Sequence, residues 1–281
     1  MTVRGVIGVL LLITAADAHP AWTQESRVSG QVITGRDFAI LGGGVLGAAV
    51  LSAYDVRVAR MFAESSLHRN PKLDVGARRT SAVTETLLMI SGASAWAIGR
   101  LGHSDGMAEV ALHTTESVAS GAAFIQVIRG IAGRARPYVL NDSGEVRDSD
   151  PYDFDWFHGF RSFSYRSFPS MHAMASFAAA TALSEEMRMH RTRYRGALSP
   201  LLYLAATASP ASRMYLDEHW ASDIALGAFL GIFAGHKVVT YTHAYPRNPV
   251  DRFLLEPEMN VGLALRGGRL APVFCVSLPG N

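Results

Sequence analysis

Three short clusters of polar residues in the middle of the chain have side chains that would act together on an anion. In the first cluster, Arg129 is followed seven residues later by Arg136-Pro137. Seven residues are about two helical turns, so we expect both guanidinium groups on one helix face and the proline at the helix end. Guanidinium groups stay charged and present a planar fork of donors. Taken alone, the pair would be better explained as two solvated arginines.

The second cluster is Pro169-Ser170-Met171-His172, which precedes an alanine-rich run. Serine is a favoured helix N-cap, so we expect a helix to begin after Ser170. The first turn of a helix offers unpaired N–H groups and a partial positive charge, which together bind anions. His172 would lie in this first turn and face the anion.

The third cluster is Ser212-Arg213, followed by His219 and Asp223. Because His219 and Asp223 are four residues apart, we expect them on one face of a helix. A carboxylate that holds one ring nitrogen of a histidine leaves the other nitrogen free as a nucleophile. The three clusters together predict a site that binds a tetrahedral oxyanion and transfers it in line. No acidic cluster is placed to hold a metal, so we expect no metal and no cofactor there, with arginines neutralising the charge.

In order and spacing, these clusters resemble the type 2 phosphatidic acid phosphatase superfamily, which includes bacterial class A acid phosphatases and vanadium haloperoxidases. The family pattern is Lys-x6-Arg-Pro, then Pro-Ser-Gly-His, then Ser-Arg-x5-His-x3-Asp, and it matches residues 129–137, 169–172 and 212–223. Two positions depart from it. Arg129 replaces the lysine with a larger, planar group. Met171 replaces the glycine, so its side chain would narrow the pocket or line an apolar entrance.

The resemblance implies a role for each matching residue. His219 would be the nucleophile that forms a phosphohistidine, and Asp223 would orient it. His172 would protonate the leaving oxygen and then activate water. The phosphoryl oxygens would be held by Arg129, Arg136, Ser170, Met171 and Arg213.

The same resemblance leaves the reaction open between three classes. The first is a metal-independent phosphatase for phosphomonoesters, acting on a phosphorylated small molecule or on a lipid phosphate or diphosphate. The second is a haloperoxidase that uses vanadate as its cofactor in the same pocket. The third, motivated by Met171, is a non-catalytic binder of phosphate or a lipid headgroup. The oligomeric state is not indicated.

Composition narrows the class of protein without naming a partner. Of 281 residues, 49% are hydrophobic and 18% are charged, against ~25% charged in soluble domains. This excludes a disordered chain, and the net charge of +2 predicts no nucleic-acid partner. Cys275 is the only cysteine, which excludes an internal disulfide and a cysteine metal cluster. The mean hydropathy of +0.14 lies between that of a cytosolic enzyme and that of a membrane protein.

The residue pattern predicts an all-α bundle of about six core helices with a short C-terminal β-hairpin. Residues 1–18 are predicted as a signal peptide, with an uncleaved anchor as the alternative, because the apolar run is short for a span. A polar linker would cover 19–37, the helical domain 38–245 and a C-terminal extension 246–281. The predicted helices are residues 38–54, 81–102, 107–128, 170–189, 198–208 and 221–241.

Charge placement bears on topology. The arginine-rich segment 188–195 favours the cytoplasmic side of a membrane, which would put the three clusters on the outer side. A cleaved signal and six spans conflict, however, because they give the N-terminus opposite orientations. We therefore expect an extracytoplasmic bundle, soluble or membrane-associated, with an integral membrane protein as the alternative.

Two further patterns are assigned no chemistry. Gly42, Gly44 and Gly47 form G-x-G-x-x-G, but no βαβ context follows, so we interpret Gly43 and Gly47 as a small-residue face against another helix. Six further histidines have no partner at an informative spacing and are interpreted as structural or solvated: His103, His113, His158, His190, His236 and His243.

Overall fold

The computed structural model describes residues 33–63, 65–138, 150–266 and 269–277. The predicted signal peptide and most of the predicted linker lie outside this range. The helices are α1 Gly35–Ser52, α2 Asp55–Phe62, α3 Ser65–His68, α4 Pro71–Ser81, α5 Glu85–Leu101, α6 Asp105–Ala132, α7 Met171–Met189, α8 Arg195–Ala206, α9 Ala208–Tyr215, α10 Ala221–Ala244 and α11 Pro249–Leu254. Strands β1 Glu258–Arg266 and β2 Arg269–Ser277 follow and pair antiparallel.

The centre of the bundle is formed by α6, α7 and α10. Glycines at four-residue spacing on α10, namely Gly227, Gly231 and Gly235, lie so close to the backbone of α7 that an added methyl group would overlap it. Small residues permit this approach in water and in lipid alike. The predicted helical bundle and the predicted C-terminal hairpin are both confirmed.

Helix α1 packs on α10, but the glycine that makes the close contact is not one of the two predicted. Gly44 lies against the ring of Phe229, which leaves no room for a Cβ. Nothing lies within 4 Å of a Cβ built at Gly43 or Gly47, so these glycines do not mediate helix packing. The motif interpreted as a close-packing face is instead largely exposed.

Two helices in the described part of the chain, α1 and α10, are long and apolar enough to cross a membrane. Helices α4 and α5 pass the same test together but are bent by 59°. The outward face of α1 is strongly apolar, because Leu46 and Val50 are each 70% exposed. Exposed apolar patches of this kind mark membrane or protein contacts.

The structure contains helices that the sequence pattern did not predict. Three of them, α2, α4 and α11, are short, and the last two begin with proline in the first turn. The predicted fifth helix, residues 198–208, corresponds to α8, which ends at Ala206, and α9 follows it as a further unpredicted helix. Proline lacks an N–H and clashes with the preceding turn, so Pro210 fits the first turn of a new helix better than the middle of a long one.

Candidate anion site

The first arginine cluster lies where α6 ends. Gly133 adopts a left-handed conformation with φ of 56°, and a Cβ there would overlap the carbonyl oxygen of Asp155. Glycine is therefore required at this position, and it ends α6 at Ala132. The prediction that Pro137 ends the helix, with both arginines on one helix face, is wrong: Arg129 lies in the last turn and Arg136 beyond it.

Both arginines are nevertheless buried side by side. Arg129 Nη2 donates a hydrogen bond to the carbonyl oxygen of Arg166 at 2.7 Å. Arg136 Nε donates to the carbonyl oxygen of Phe163 at 3.2 Å, and its guanidinium lies 4.1 Å from the centre of the Phe163 ring. Burial and the charge of Arg129 lower the pKa of Arg136 to about 9. The two charges are thus crowded together, as expected of a site that binds an anion.

The N-terminus of α7 meets the start of α10 at Ser170. This fully buried side chain accepts a hydrogen bond from Ala173 N at 3.4 Å, which confirms the predicted N-cap. Ser170 N donates to the carbonyl oxygen of Asp223 at 3.0 Å, so the second and third clusters are joined through the backbone. The side chain of Met171 points into the core beside Ile125, so it neither narrows the site nor lines an entrance.

His172 lies in the first turn of α7, as predicted, and is half-buried. Its Nε2 donates a hydrogen bond to the carbonyl oxygen of Ser81 at 3.1 Å, which leaves Nδ1 as the nitrogen that exchanges a proton. Burial, followed by the positive charges of Arg213 and Arg129, lowers the pKa of His172 to about 4. The imidazole is therefore neutral near pH 7 in the empty site, and a negative charge bound beside it would raise its pKa.

His219 is 2% exposed and lies in the segment before α10. The prediction that it shares a helix face with Asp223 is wrong, because α10 begins only at Ala221. His219 Nδ1 lies 3.6 Å from Asp223 Oδ2, and within the described residues neither ring nitrogen has a hydrogen-bond partner. Burial lowers the pKa of His219 to about 3, and the charge of Arg136 acts in the same direction. The neutral imidazole has one unprotonated nitrogen, whose lone pair can act as a nucleophile.

Asp223 holds a network that the sequence did not indicate. Its Oδ2 accepts hydrogen bonds from Trp220 N at 2.9 Å and Ser167 Oγ at 2.5 Å. Its Oδ1 accepts from Arg134 Nη1 at 2.5 Å. The Asp223 carboxylate is therefore fixed by three hydrogen-bond donors, and its orientation does not depend on the histidine.

Arg134 is the first of two residues in contact with the predicted site residues that the sequence motifs did not indicate. It is 1% exposed, and its Nη2 donates to Asp55 Oδ2 at 2.7 Å while Nη1 reaches Asp223. Arg134 thus bridges two buried carboxylates whose positions lie far apart in the chain. The sequence offered one weak signal, namely a third arginine between Arg129 and Arg136.

Glu218 is the second missed residue. Its carboxylate forms an ion pair with Arg213 Nη2 at 2.9 Å and makes a close contact with Arg136 Nη1. Its side chain is 22% exposed, while Arg136 and Arg213 are buried. A carboxylate therefore lies across two arginines that were predicted to hold phosphoryl oxygens.

The structure thus brings the three predicted clusters together around one buried imidazole. We call this group the anion site; its members are Arg129, Arg136, Ser170, His172, Arg213 and His219. Residues 111–247 match the model of the PAP2 superfamily. This part of the chain is a PAP2 superfamily domain. The resemblance inferred from the motifs is therefore confirmed.

A solved structure supports the fold of the PAP2 domain. It is described as the first transmembrane PAP2 type phosphatidylglycerolphosphate phosphatase from Bacillus subtilis, and it aligns with a TM-score of 0.51 at 17% sequence identity. The alignment covers 75% of this chain and 97% of the other. A comparison with curated proteins found no match. The two long apolar helices, α1 and α10, support membrane association of the chain.

Proposed function

We propose that the PAP2 domain is a metal-independent phosphatase that works through a phosphohistidine on the extracytoplasmic side. The observation that carries the proposal is His219, a buried imidazole with both nitrogens unpartnered among the described residues, set beside buried arginines. An unpartnered buried polar group costs free energy. Such a cost persists in a fold when the group serves a purpose, here nucleophilic attack.

The first step transfers the phosphoryl group to His219. Because Asp223 lies beside Nδ1, Nε2 attacks the phosphorus, so a P–N bond forms while the P–O bond to the alcohol breaks. The departing oxygen takes the proton of His172 Nδ1. The negative charge of the bound phosphate raises the pKa of His172 from its low value in the empty site, so the acid is charged when it is needed.

The second step returns the enzyme to its starting state. Water attacks the phosphorus in line with the P–N bond, and His172 Nδ1 takes a proton from that water. The P–N bond breaks, its electron pair returns to His219, and inorganic phosphate leaves. Arg129, Arg136 and Arg213 stay charged throughout and stabilise the equatorial oxygens in both transition states.

A lipid phosphate is the substrate class that the surroundings favour. The segment that contacts Arg129 and Arg136 carries exposed aromatic side chains, including Trp156 at 67% and Phe157 at 59%. Aromatic rings concentrate at the interface between bilayer and water. Together with the exposed apolar face of α1, they favour a position of the anion site at headgroup depth. The similar solved structure is that of a phosphatidylglycerolphosphate phosphatase, which agrees with a lipid substrate.

The proposed orientation rests on the two ends of α7. Its N-terminus forms the anion site, and its C-terminus leads into the arginine-rich segment 188–195. Helix α10, which is long and apolar enough to cross a membrane, runs from the anion site to His243, beside Glu186 near the C-terminus of α7. The positive-inside rule favours the arginines in the cytoplasm and the anion site outside. In cells that express the protein, a membrane-impermeant phosphate ester should then be cleaved without permeabilisation.

The decisive experiment measures phosphate release by the purified chain in detergent with excess chelator. Phosphatidic acid, phosphatidylglycerophosphate and p-nitrophenyl phosphate are compared. We expect turnover of the lipids, a base-stable and acid-labile phosphoryl group after rapid quenching, and a loss on the order of 10³-fold or more in His219→Ala. His103→Asn, a change at an exposed histidine, is the matched control.

Each contrary outcome points to a named alternative. Phosphate binding without turnover would make the domain a non-catalytic headgroup binder. Bromide oxidation that appears only after vanadate loading would make it a haloperoxidase. Full activity of His219→Ala would overturn the proposed nucleophile.

A further inference from the structure

A second cluster of ionisable side chains lies at the end of the bundle opposite the anion site. It consists of His113 on α6, Glu186 on α7, His190 just after α7, and His243 on α10; we call it the histidine cluster. His113 precedes Arg129 by sixteen residues on one helix, which corresponds to about 24 Å. The cluster therefore has no part in the phosphoryl transfer proposed above.

Glu186 is 1% exposed, and its carboxylate lies at the centre of the histidine cluster. Glu186 Oε1 is 2.6 Å from His113 Nδ1, while Oε2 is 2.9 Å from His243 Nε2 and 3.3 Å from His190 Nε2. One carboxylate thus meets three imidazoles that come from separate segments of the chain. This is the ligand chemistry that divalent transition metals prefer.

The spacing of the ligand atoms of His113, Glu186 and His243 suits a single ion. One ligand atom from each of His113, Glu186 and His243 lies within 4.8 Å of the others. The same holds for Glu109, His190 and His243, so His190 and His243 also approach each other. Ligands about 2.1 Å from a tetrahedral ion are about 3.4 Å apart. A rotation of the exposed His190 side chain, whose Nε2 lies 3.3 Å from Glu186 Oε2, would bring the fourth ligand to the ion.

Two buried atoms provide an independent indication. His113 is 1% exposed and Asp251 is 4% exposed. His113 Nε2 and Asp251 Oδ1 lie 3.5 Å apart, and neither has a hydrogen-bond partner within the described residues. A metal on Nδ1 requires the imidazole to carry its proton on Nε2, facing Asp251. Histidine ligands of metals usually donate their other N–H to a carboxylate in this way.

An ion also has access to the cluster. A cavity of about 560 Å³ is lined by Glu186 and His190 together with apolar side chains such as Leu183 and Leu198. His190 is the most exposed of the three imidazoles, at 40% of its side chain. The cluster is thus closed on the side of α6 and open on the side of the segment that follows α7.

We propose that His113 Nδ1, Glu186, His190 Nε2 and His243 Nε2 bind one divalent transition-metal ion of the Zn²⁺ class, with Asp251 as the outer partner of His113. The ion ties α6, α7 and α10 together at the end remote from the anion site. Its role is to stabilise the fold. Imidazole ligands favour Zn²⁺, Co²⁺ or Ni²⁺ over Mg²⁺, which prefers oxygen.

The test uses the full chain purified without a polyhistidine tag. Elemental analysis should find one transition-metal ion per chain. Chelator should lower the melting temperature, Zn²⁺ should restore it and Mg²⁺ should not. Co²⁺ in the stripped protein should give the visible absorption of a four-coordinate ion with nitrogen ligands. Phosphate release, measured well below the melting temperature, should be unchanged by stripping, which separates this proposal from the proposed phosphatase.

Variants make the assignment specific. His190→Ala changes the most exposed ligand, so the fold should survive while Zn²⁺ affinity falls at least tenfold. Glu186→Gln should abolish the Co²⁺ spectrum, and His103→Asn, outside the cluster, should leave binding unchanged. A melting temperature indifferent to Zn²⁺ and chelator, with no bound metal, would overturn the proposal and leave a network of ion pairs.

Discussion

Replacing Glu218 by glutamine should tighten the binding of a tetrahedral anion to the anion site. The Glu218 carboxylate is held by Arg213 and Arg136, the two guanidinium groups that a phosphate must reach. Phosphate must therefore either displace the Glu218 carboxylate from these two arginines or share the arginines with it. An amide at this position keeps the shape of the side chain and removes its charge, so the competition weakens.

The size of the effect follows from the contacts. A hydrogen bond to a charged group contributes about 1.5–3 kcal/mol, roughly twice a neutral one. The Glu218 side chain is 22% exposed, so water screens part of its attraction to Arg136 and Arg213. Loss of the charge should then weaken the competitor by about 1.4 kcal/mol, which corresponds to tenfold tighter anion binding.

The assay is the inhibition constant of orthovanadate, a phosphate analogue, against phosphate release by the purified chain. Glu185→Gln is the matched control, since Glu185 also pairs with an arginine, Arg188, but lies at the other end of α7. Glu218→Gln should lower the inhibition constant about tenfold, and Glu185→Gln should not change it. An unchanged or higher constant for Glu218→Gln would mean that Glu218 positions the arginines, and would refute the reasoning.

Three further predictions concern the core, the buried network and pH. Met171→Gly should lower the free energy of unfolding by about 2–5 kcal/mol through loss of core packing, while kcat stays within a few-fold of wild type. Denaturant titration measures the loss, with Met171→Leu as the control. A large gain in kcat would contradict the prediction. Arg134→Met should cost about 3–5 kcal/mol, because Asp55 and Asp223 lose their buried counter-charge; equal stability of Arg134→Met and wild type would count against it. The alkaline fall in kcat should lie at higher pH than that in kcat/KM, because bound phosphate raises the pKa of His172 from about 4; pH–rate profiles that coincide would show otherwise.

The chemistry of the anion site was open to sequence reasoning because its residues lie in short motifs. Spacing within a motif predicts local structure, which is why the Ser170 cap and the first-turn position of His172 are confirmed. Spacing across a helix end does not predict local structure. The end of α6 at Gly133 and the start of α10 at Ala221 depend on backbone conformations that the number of residues between two positions does not reveal. Arg136 and His219 therefore reach the site from loops rather than from helix faces.

The rest depends on contacts between distant parts of the chain. Asp55 precedes Arg134 by 79 positions, and Glu186 follows His113 by 73. A single sequence carries no periodicity that links such pairs, so the histidines of the cluster were assigned no partner. Glu218 lies inside a predicted motif but was missed, because the motif fixes its neighbours and says nothing of its own side chain.

The glycines that bring α10 against α7 have a consequence for the register of the two helices. They recur every four residues, and so do the α7 carbonyls that they meet, at Ser170, Met174 and Ala178. A slip of one helical turn would again set glycine against backbone at two of the three positions, so this interface by itself permits sliding. The hydrogen bond from Ser170 N to the Asp223 carbonyl is lost in the slipped arrangement, as is the reach of Arg134. The polar residues around the anion site therefore also fix the register of α10 against α7. Because both helices continue to the opposite end of the bundle, the same register positions Glu186 and His243 there.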